Sequence, residues 1–500
     1  MIKIRNIALL ASVFVAGILH AQDDADLLRY SMLNPVGTAR YNAMGGAFGA
    51  LGANFTGLST NPAGIGFYTR HEISLSLGTV TQNGRTEYYG EHNELEKTRV
   101  NFPQGGGVFC IRNGNRKEGR AWSLQLGFGA NRIKDFNNNV YVRGVNNQSS
   151  YMQDVAARSA GYDFAVLHQD VSHIGNLAYQ TGLIDYADTL DFTYESFLGR
   201  GLRQKHILQE RGNISEMVFS FGGNWSEQFY FGVTLGIPIV DYRQTSLIEE
   251  EAAEGSRLPH NFKSYQVRNR MDVSGTGLNL KLGLIYKPVH FFRIGLAFHT
   301  PTYYWIKETA DLDLTTRMQY VLSNNDVLPN AVYGGYSDRY GLSTPLKGVL
   351  SMAFLVNNFG AISVEGELID YRHMRMDVDD DLDYNKHIRD IVRENYDLAG
   401  VLRLGTEWRV GILSLRAGYV WQSCPYKNEL LRNYWSNHTA TAGLGLVLGR
   451  WNLDFSFMAD LGKRTDQFYY LLDGDGTPLV KPAKLDFSKY TCTVSLGCRF

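Results

Sequence analysis

Several features that would assign a chain to a common class are scarce in this sequence. Four cysteines in 500 residues are too few for a disulfide scaffold. The 49 basic and 50 acidic residues nearly cancel, so no overall field would draw the protein to nucleic acid. After residue 21 there is no run of about 18 apolar residues, which a membrane-spanning helix requires. These absences exclude a disulfide-stapled domain, a nucleic-acid-binding protein and a helical membrane protein.

Motifs that carry catalysis or bind cofactors are missing as well. There is no His-Glu-x-x-His, no Gly-x-Ser-x-Gly and no phosphate-binding loop. The acidic stretch 377–383 begins like a calcium loop, but Leu382 stands where that loop needs Gly and Ile388 where it needs Glu. We therefore predict no catalytic residue, no metal site and no cofactor, and we interpret the acidic stretch as a solvated outer loop.

The N-terminus, "MIKIRNIALLASVFVAGILHAQDD", has the pattern of a secretory signal peptide. A short basic beginning precedes an apolar run from Ile7 to Leu19, and a cleavage point follows at Ala21. The run is too short and wrongly flanked for a membrane anchor. We predict that residues 1–21 form a signal peptide, which directs the mature chain to the cell envelope.

Glycine and tyrosine, in contrast, are abundant, with 52 and 30 copies. This composition is typical of transmembrane β-barrels, in which alternate residues meet lipid and aromatic girdles mark both interfaces. Strand-like runs follow one another from His71 to Phe500, and the gaps between them are alternately short and long. We predict an all-β fold, an up-and-down antiparallel outer-membrane barrel of about fourteen strands over residues 70–500. Its loops on the extracellular side would be long, notably at 149–212.

The faces of the strand-like runs agree with one another. Apolar and polar side chains alternate in "LNLKLGLIY" (278–286), "FRIGLAFH" (292–299) and "WNLDFSFM" (451–458). A soluble sandwich would also alternate, but its core strands seldom carry Lys, Arg and Asp in series. The final run, "YTCTVSLGCRF", is apolar on one face and ends on Phe500. We expect it to pair with the first strand, which would leave no free edge.

Residues 22–69 do not alternate. The stretch "ARYNAMGGAFGALGANFTGLSTNPAGIGFYTR" (39–70) is rich in Gly, Ala and Asn, and small residues suit a segment packed inside another structure. Its length suits the lumen of a barrel of this circumference. A flexible tether is the alternative, but Phe48, Phe55 and Phe67 favour burial. We predict that residues 22–69 form a plug, or hatch, in the lumen.

On these residues the chain resembles the long-chain fatty acid transporter (FadL/TodX-type) outer-membrane family, in the style of its Bacteroidetes-type branch. The resemblance rests on the glycine-rich stretch 40–52, then Asn61-Pro62-Ala63-Gly64, then a first strand, "HEISLSLG". In that family an Asn-Pro-Ala motif lies in an N-terminal hatch that blocks a fourteen-stranded barrel. Weaker likenesses extend it over most of the mature chain, in "RIGLAFHTPTYY" (293–304), "VEGELIDYRHM" (364–374) and "LSLRAGYVWQSCPY" (413–426).

The resemblance implies a transport activity rather than an enzyme. Hydrophobic compounds, above all long-chain fatty acids, would be captured at extracellular loops and pass to a lumenal pocket. They would leave sideways into the membrane when the hatch rearranges, which keeps an apolar solute out of water. Asn61, Pro62, Ala63 and Gly64 take the motif and gating positions, for which an ordinary turn is the alternative. The implied setting is a monomeric barrel in the bacterial outer membrane, in contact with its lipid and lipopolysaccharide.

The N-terminus of the mature chain, "QDDADLLRYSMLNPVGT", departs from the family, because it is longer and more acidic than the N-terminus usual there. The long gap 149–212 carries apolar residues at loose helical spacing. Short loop helices with an apolar groove would suit the first capture of a hydrophobic ligand. The candidate capture surface consists of Tyr162, Phe164, Val166, Leu167 and Leu177. Helices that pack on each other and roof the barrel are an equal alternative.

Several ionisable residues fall on the lumenal phase of the predicted strands. The candidate cations are Lys281, Arg293, Arg403, Arg409 and Arg416. A buried arginine could receive a carboxylate head group through two hydrogen bonds. The alternative is that these charges pair across the lumen and with the plug, and the sequence does not single out one arginine.

A second class of function stays open. Barrels of similar style serve as non-transporting subunits of envelope protein-secretion machinery in the same bacteria. That hypothesis predicts stable co-purification with an envelope protein and no bound ligand. An outer-membrane enzyme would need a catalytic cluster at the rim, and the sequence offers none.

Overall fold

The structure is a computed structural model. It describes residues 24–112, 122–163, 166, 173–320, 327–357, 359–378, 381–429, 432, 435–466, 468–469, 471–472 and 479–500. The predicted signal peptide, residues 1–21, lies outside the described residues.

Strands account for most of the described chain, because side chains that alternate between lipid and lumen favour the two-residue period of a strand. They are β1 (Glu72–Tyr88), β2 (Glu91–Arg112), β3 (Trp122–Asp135), β4 (Asn138–Asn146), β5 (Asp185–Asp188), β6 (Thr193–Glu195), β7 (Leu202–Trp225), β8 (Phe229–Ala252), β9 (Ser264–Val289), β10 (Phe292–His299), β11 (Tyr303–Arg317), β12 (Ala331–Ser343), β13 (Lys347–Val356), β14 (Gly360–Asp370), β15 (Arg375–Val378), β16 (Leu398–Val410), β17 (Leu413–Gln422), β18 (Ser436–Leu448), β19 (Trp451–Asp466) and β20 (Ala483–Arg499).

Five α-helices are found in the described part of the chain. They are α1 (Asp24–Ser31), α2 (Ala39–Ala43), α3 (Tyr151–Ser159), α4 (His173–Gln180) and α5 (Leu382–Asn395). Short 3-10 helices lie at Thr56–Ser59, Pro62–Phe67, Pro259–Asn261 and Tyr371–His373. None of the helices in the described residues is long and apolar enough to cross a membrane.

Eighteen strands form one sheet, and β5 pairs with β6 in a separate hairpin. Within the sheet β3 and β4, β10 and β11, β12 and β13, and β14 and β15 each continue one wall strand across a short break. Pro301 and Pro345 lie in two of these breaks, since proline cannot donate to a strand ladder. Counting each such pair once gives fourteen antiparallel wall strands in the described chain, which confirms the predicted barrel.

The barrel closes between its first and last strands. Their ladder runs from Glu72 opposite Arg499 to Glu87 opposite Lys484. Leu75 and Leu496 face each other on the outer side of this ladder, and 59% and 48% of their surfaces are exposed. Exposed apolar side chains of this kind cover the outer face of the wall strands within the belt, whereas buried charged side chains such as Arg403 and Glu407 face the lumen. The chain is therefore an outer-membrane β-barrel whose apolar belt faces lipid.

The N-terminal segment, residues 24–69, lies inside the wall. Helix α2 contacts β17, β18, β19 and β20, and the 3-10 helix Pro62–Phe67 contacts β3, β7, β8 and β9. Most side chains of the segment are buried, although few of them are large. It therefore packs against two sides of the lumen instead of forming a core of its own.

The long outer loops fold over the opposite end of the barrel from the short turns. Helices α3 and α4 form a second apolar cluster with residues of β9 and β11, which roofs part of the rim. Strand β7 already begins at Leu202, so the long gap predicted at 149–212 is shorter in the structure. The strands extend outward beyond the apolar belt. Polar residues on both strand faces there obscure the apolar–polar alternation in the sequence.

Candidate functional site

The Asn61–Gly64 turn joins the N-terminal segment to the wall. Asn61 caps the 3-10 helix, because its side-chain oxygen accepts a hydrogen bond from Ala63 N at 3.1 Å. Its amide nitrogen donates to Gly49 O at 2.6 Å and to the wall carbonyl of Leu284 at 3.4 Å. Pro62 follows at the first helical position, where its missing N–H costs nothing. One side chain thus connects two parts of the segment and one wall strand.

Wall glycines allow the segment to lie directly on the barrel backbone. A Cβ built at Gly283 would be 2.0 Å from the side-chain oxygen of Asn61, and one at Gly232 would be 2.3 Å from Pro62 O. On the other side of the lumen, a Cβ at Gly418 would be 2.4 Å from the carbonyl carbon of Met44. Such distances are too short for any side chain. This close fit gives many of the 52 glycines a structural role.

The candidate cation Arg403 lies in a buried charge network. Its guanidinium donates to Glu365 at 2.8 Å and to Glu367 at 2.7 Å, and Lys347 pairs with Glu367 at 2.7 Å. The second oxygen of Glu365 accepts from Gly49 N of the N-terminal segment at 2.7 Å. Arg403 is therefore compensated by wall carboxylates.

Arg409 and Arg416 share one carboxylate with the N-terminal segment. Glu407 accepts from Arg416 at 2.7 Å, from Arg409 at 2.8 Å and from Arg40 at 2.7 Å. Arg416 also donates to Asp454 at 2.6 Å. The side chain of Arg409 is 53% exposed, whereas that of Arg416 is 4% exposed. Only Arg40 among these residues belongs to the segment, so this network ties the segment to the wall.

Arg293 contacts the segment directly from the opposite strands, and Lys281 is linked to it through Glu216. Lys281 pairs with Glu216 at 2.5 Å, and Glu216 also accepts from Ser59 at 3.1 Å. Arg293 donates to Leu51 O at 2.6 Å, and its guanidinium lies 4.1 Å above the ring of Phe67. The five candidate cations are thus spread around the lumen rather than gathered at one position.

Helix α1 fills an apolar chamber in the outer half of the lumen. Leu27 and Tyr30 are fully buried among wall side chains that include many tyrosines and methionines. The ring of Tyr30 lies 5.9 Å from that of Phe136. At the outer end, the Asn395 amide of α5 donates to Asp24 at 2.9 Å. Residues 24–31, the described part of the acidic N-terminus of the mature chain, therefore lie inside the barrel, beneath an outer-loop helix.

The wall has an open seam between β2 and β3. Their ladder comprises nine pairs and ends at Gln104 opposite Asn131, although β2 continues outward to Glu91. Beyond Asn131, β4 pairs with β7 but not with β2 in the described residues. Instead β4 lies behind the β1–β2 hairpin. The Gln82 amide of β1 donates to Asn138 at 2.8 Å, Thr86 donates to Tyr141 O at 2.7 Å, and the Asn93 amide of β2 donates to Arg143 O at 3.3 Å.

A cavity of about 180 Å³ reaches both edges of the open seam. Asn101 lines it from β2, Arg132 and Lys134 line it from β3, and residues of the N-terminal segment form its inner side. Val36 N of the segment donates to Arg132 O at 2.9 Å, so the segment pairs with β3 where β2 no longer does. Sequence reasoning missed this site. Its signals are a proline in β2, Pro103, and a run of three asparagines (137–139) that begins in the break between β3 and β4.

The candidate capture surface is not assembled as one patch in the described residues. Phe164 and Leu167 lie outside them. Leu177 is buried in the α3–α4 cluster, Tyr162 packs at its edge, and Val166 is 47% exposed. Within the same loop, burial raises the pKa of the Asp154 carboxyl to about 6, although Arg158 donates to it at 2.6 Å.

Comparisons with known proteins bear on the fold. No family model matches the sequence, and no curated protein matches it. Among solved structures, the chain is similar to the CymD monoaromatic hydrocarbon channel, with 13% identity, a TM-score of 0.50 and coverage of 94% of this chain and 99% of that one. It is also similar to the Pseudomonas putida toluene transporter TodX, with 12% identity, a TM-score of 0.52 and coverage of 93% of this chain and 98% of that one. A Pseudomonas aeruginosa FadL homologue is similar with 11% identity, a TM-score of 0.52 and coverage of 94% of this chain and 100% of that one. At these identities the likeness establishes that the chain has the barrel fold of these transport proteins.

Proposed function

We propose that this barrel takes up hydrophobic small molecules, foremost long-chain fatty acids, and releases them sideways through the open seam between β2 and β3. The observation that carries the proposal is the cavity that touches both edges of that seam. On the outer side of the part of β2 that does not pair with β3, Val100 and Phe102 are 67% and 68% exposed. A molecule in the cavity therefore lies beside lipid without having to cross a continuous strand ladder.

The charges of the cavity favour a ligand with a carboxylate head. Its charged lining residues are Arg132, Lys134, Arg403, Lys489, Asp135 and Asp460. Lys134 donates to Met32 O at 2.7 Å, and Lys489 pairs with Asp135 at 3.2 Å. A charge-assisted hydrogen bond from Lys134 would hold a carboxylate more strongly than a neutral group. This preference supports fatty acids over uncharged hydrocarbons.

The N-terminal segment acts as the hatch in this proposal. Its fit against the wall glycines disfavours movement of the whole segment, so opening involves its outer part. Helix α1 occupies the apolar chamber, and a hydrophobic chain that displaces Leu27 and Tyr30 would recover the burial that they lose. Release of Val36 from Arg132 would then widen the seam. The barrel would work as a monomer, with lipopolysaccharide and lipid around it.

The likeness to solved structures supports the class of cargo. The titles of these structures describe a monoaromatic hydrocarbon channel, a toluene transporter and a FadL homologue. The match covers almost the whole length of each of these three proteins. Uptake of hydrophobic molecules is therefore the function that the fold favours, and the cations of the cavity narrow it to fatty acids.

The test is uptake of radiolabelled oleate and toluene by a bacterial host that lacks its own fatty acid channel. We expect the full chain to increase oleate uptake, Lys134→Gln to lower it about tenfold, and toluene uptake to change little. Lys307→Gln, an exposed lysine of β11, is the matched control. No gain of oleate uptake would overturn the proposal. A purified barrel that carries no lipid but arrives with a stoichiometric envelope protein would favour the secretion-subunit alternative.

A further inference from the structure

A second, larger cavity opens at the end of the barrel that carries the short turns. Its volume is about 640 Å³, and it is lined by turn residues such as Gly449 and by the base of the N-terminal segment. Short turns lie on the periplasmic side of outer-membrane barrels, as do the chain entry at β1 and the exit at β20. We name this cavity the periplasmic vestibule. The N-terminal segment separates it from the cavity at the seam.

Arginines dominate the charge of the periplasmic vestibule. The charged residues that line it are Arg40, Arg70, Arg293, Arg409, Arg499 and Glu407. A smaller adjoining cavity shares three of these arginines and adds Arg416, Glu72 and Asp454. Six arginines thus face three carboxylates. The surplus of positive charge in a partly enclosed space favours an anion.

Two of these arginines have no carboxylate partner among the described residues. Arg293 donates to Leu51 O, and its Nε atom is buried without a hydrogen-bond acceptor. Arg70 is exposed and takes part in none of the ion pairs of the described chain. A buried donor without an acceptor is costly, and an incoming oxygen would satisfy it.

The floor of the periplasmic vestibule is apolar. Phe67 lies beneath the Arg293 guanidinium at 4.1 Å and stacks on Tyr230, with the ring centroids 3.7 Å apart. Leu51 and Leu355 also line the cavity. Cationic donors beside aromatic and aliphatic side chains match a ligand that has a carboxylate head and a short apolar body.

We propose that the periplasmic vestibule binds an organic monocarboxylate with an apolar tail, whose head group Arg293 and Arg70 hold. The site is distinct from the seam cavity and does not require lateral release. It gives carboxylated molecules a place to bind on the periplasmic side of the N-terminal segment.

The experiment titrates the full-length barrel by calorimetry in nanodiscs with octanoate, octanamide and inorganic phosphate. Every sample carries Lys134→Gln, which weakens carboxylate binding in the seam cavity. We expect one octanoate to bind, and octanamide and phosphate to bind at least tenfold more weakly, because the first lacks the charge and the second lacks the tail. Arg293→Gln should weaken octanoate binding about tenfold, and Arg70→Gln severalfold. Arg243→Gln, an exposed arginine at the outer end of β8, should leave it unchanged.

Arg70→Gln keeps the test decisive if Arg293→Gln fails to fold, since Arg70 is exposed and unpaired in the described chain. The proposal is overturned if octanoate does not bind, if both variants bind it as tightly as the unaltered barrel, or if phosphate or octanamide equals octanoate. If the barrel binds octanoate at this site but does not take up oleate, the vestibule proposal stands and the uptake proposal is overturned. If the barrel takes up oleate but does not bind octanoate at this site, only the vestibule proposal is overturned.

Discussion

Two seams of the wall, one closed and one open, show how this barrel differs from a continuous cylinder. The closing seam between β1 and β20 is paired over the whole length from Glu72 to Glu87. The seam between β2 and β3 stops at Gln104, although both strands continue outward. Apolar and polar residues alternate at both seams, but Pro103 of β2 and the asparagines at 137–139 interrupt only the open one. The opening arises because β4 turns behind β1, where hydrogen bonds from side chains replace the ladder.

Locking the open seam is expected to have the largest effect. Arg99 on β2 and Asn137 between β3 and β4 contact each other across it. In a background without the native cysteines, Arg99→Cys and Asn137→Cys joined by a short cleavable cross-linker should lower oleate uptake at least tenfold. Reduction of the linker should restore it, since the change is only at the seam.

The closed seam supplies the control for this experiment. Leu75 and Leu496 are paired on the outer face of this ladder, away from the N-terminal segment, so Leu75→Cys and Leu496→Cys can be joined in the same way. This link should leave oleate uptake unchanged, because the two strands are already held by a full ladder. Equal loss of uptake in both linked barrels would contradict the open seam as the exit.

The N-terminal segment bonds to both seams, since Ala39 N donates to Ser495 and Val36 N donates to Arg132 O. Gly283→Ala should loosen it, because the new Cβ would lie 2.0 Å from the side-chain oxygen of Asn61. We expect a destabilisation of about 1–3 kcal/mol. Hydrogen exchange of residues 49–64, followed by mass spectrometry, should become faster.

Gly348→Ala is the matched control for the glycine substitution. Gly348 also lies in a wall strand, but a Cβ built there meets nothing within 4 Å. Its exchange pattern and melting temperature should stay close to those of the unaltered barrel. If both alanine variants behaved alike, the close fit between wall and segment would not contribute to its stability.

The outer loop above the seams should respond to pH. Burial raises the pKa of Asp154 in α3 to about 6, above its unfolded value, so the folded loop prefers the protonated acid. Stability from this group is present at low pH and is lost as pH rises through 6. Between pH 5 and pH 7.5 we expect a loss of about 1 kcal/mol in local stability.

Hydrogen exchange in α3, corrected for the intrinsic pH dependence, measures this loss. Asp154→Asn should remove the pH dependence, because the amide cannot ionise. Asp188→Asn, an exposed carboxyl in the same loop, should preserve it. A pH dependence that survives in Asp154→Asn would assign it to another group.

The sequence determined some features of this molecule better than others. Period-two alternation predicts which side chains of β9 face lipid, and the Asn61–Gly64 motif predicts a turn that the structure places against the wall. Pairing of the lumenal charges was one of the two hypotheses from the sequence, but the individual partners could not be predicted, because Arg403 meets Glu365 only through the register of β14 and β16. Pro103 and the asparagine run mark where the seam opens, but the inward position of β4 could not be predicted, since it depends on contacts with Gln82, more than fifty residues away.

The smallest expected effects concern the exposed ion pairs near the outer ends of the β1 ladders. Lys484 and Glu87 lie 3.4 Å apart across the closed seam, and Arg85 and Glu94 lie 2.9 Å apart across the β1–β2 hairpin. All four side chains are largely solvated, so double-mutant cycles with glutamine should give couplings of about 0–0.5 kcal/mol that disappear at high salt. The two values should be alike, because the backbone ladder and not surface charge keeps the closed seam shut. A coupling at Lys484–Glu87 several times larger than at Arg85–Glu94 would mean that charge contributes to the closure, and the contrast between the two seams would then be partly electrostatic.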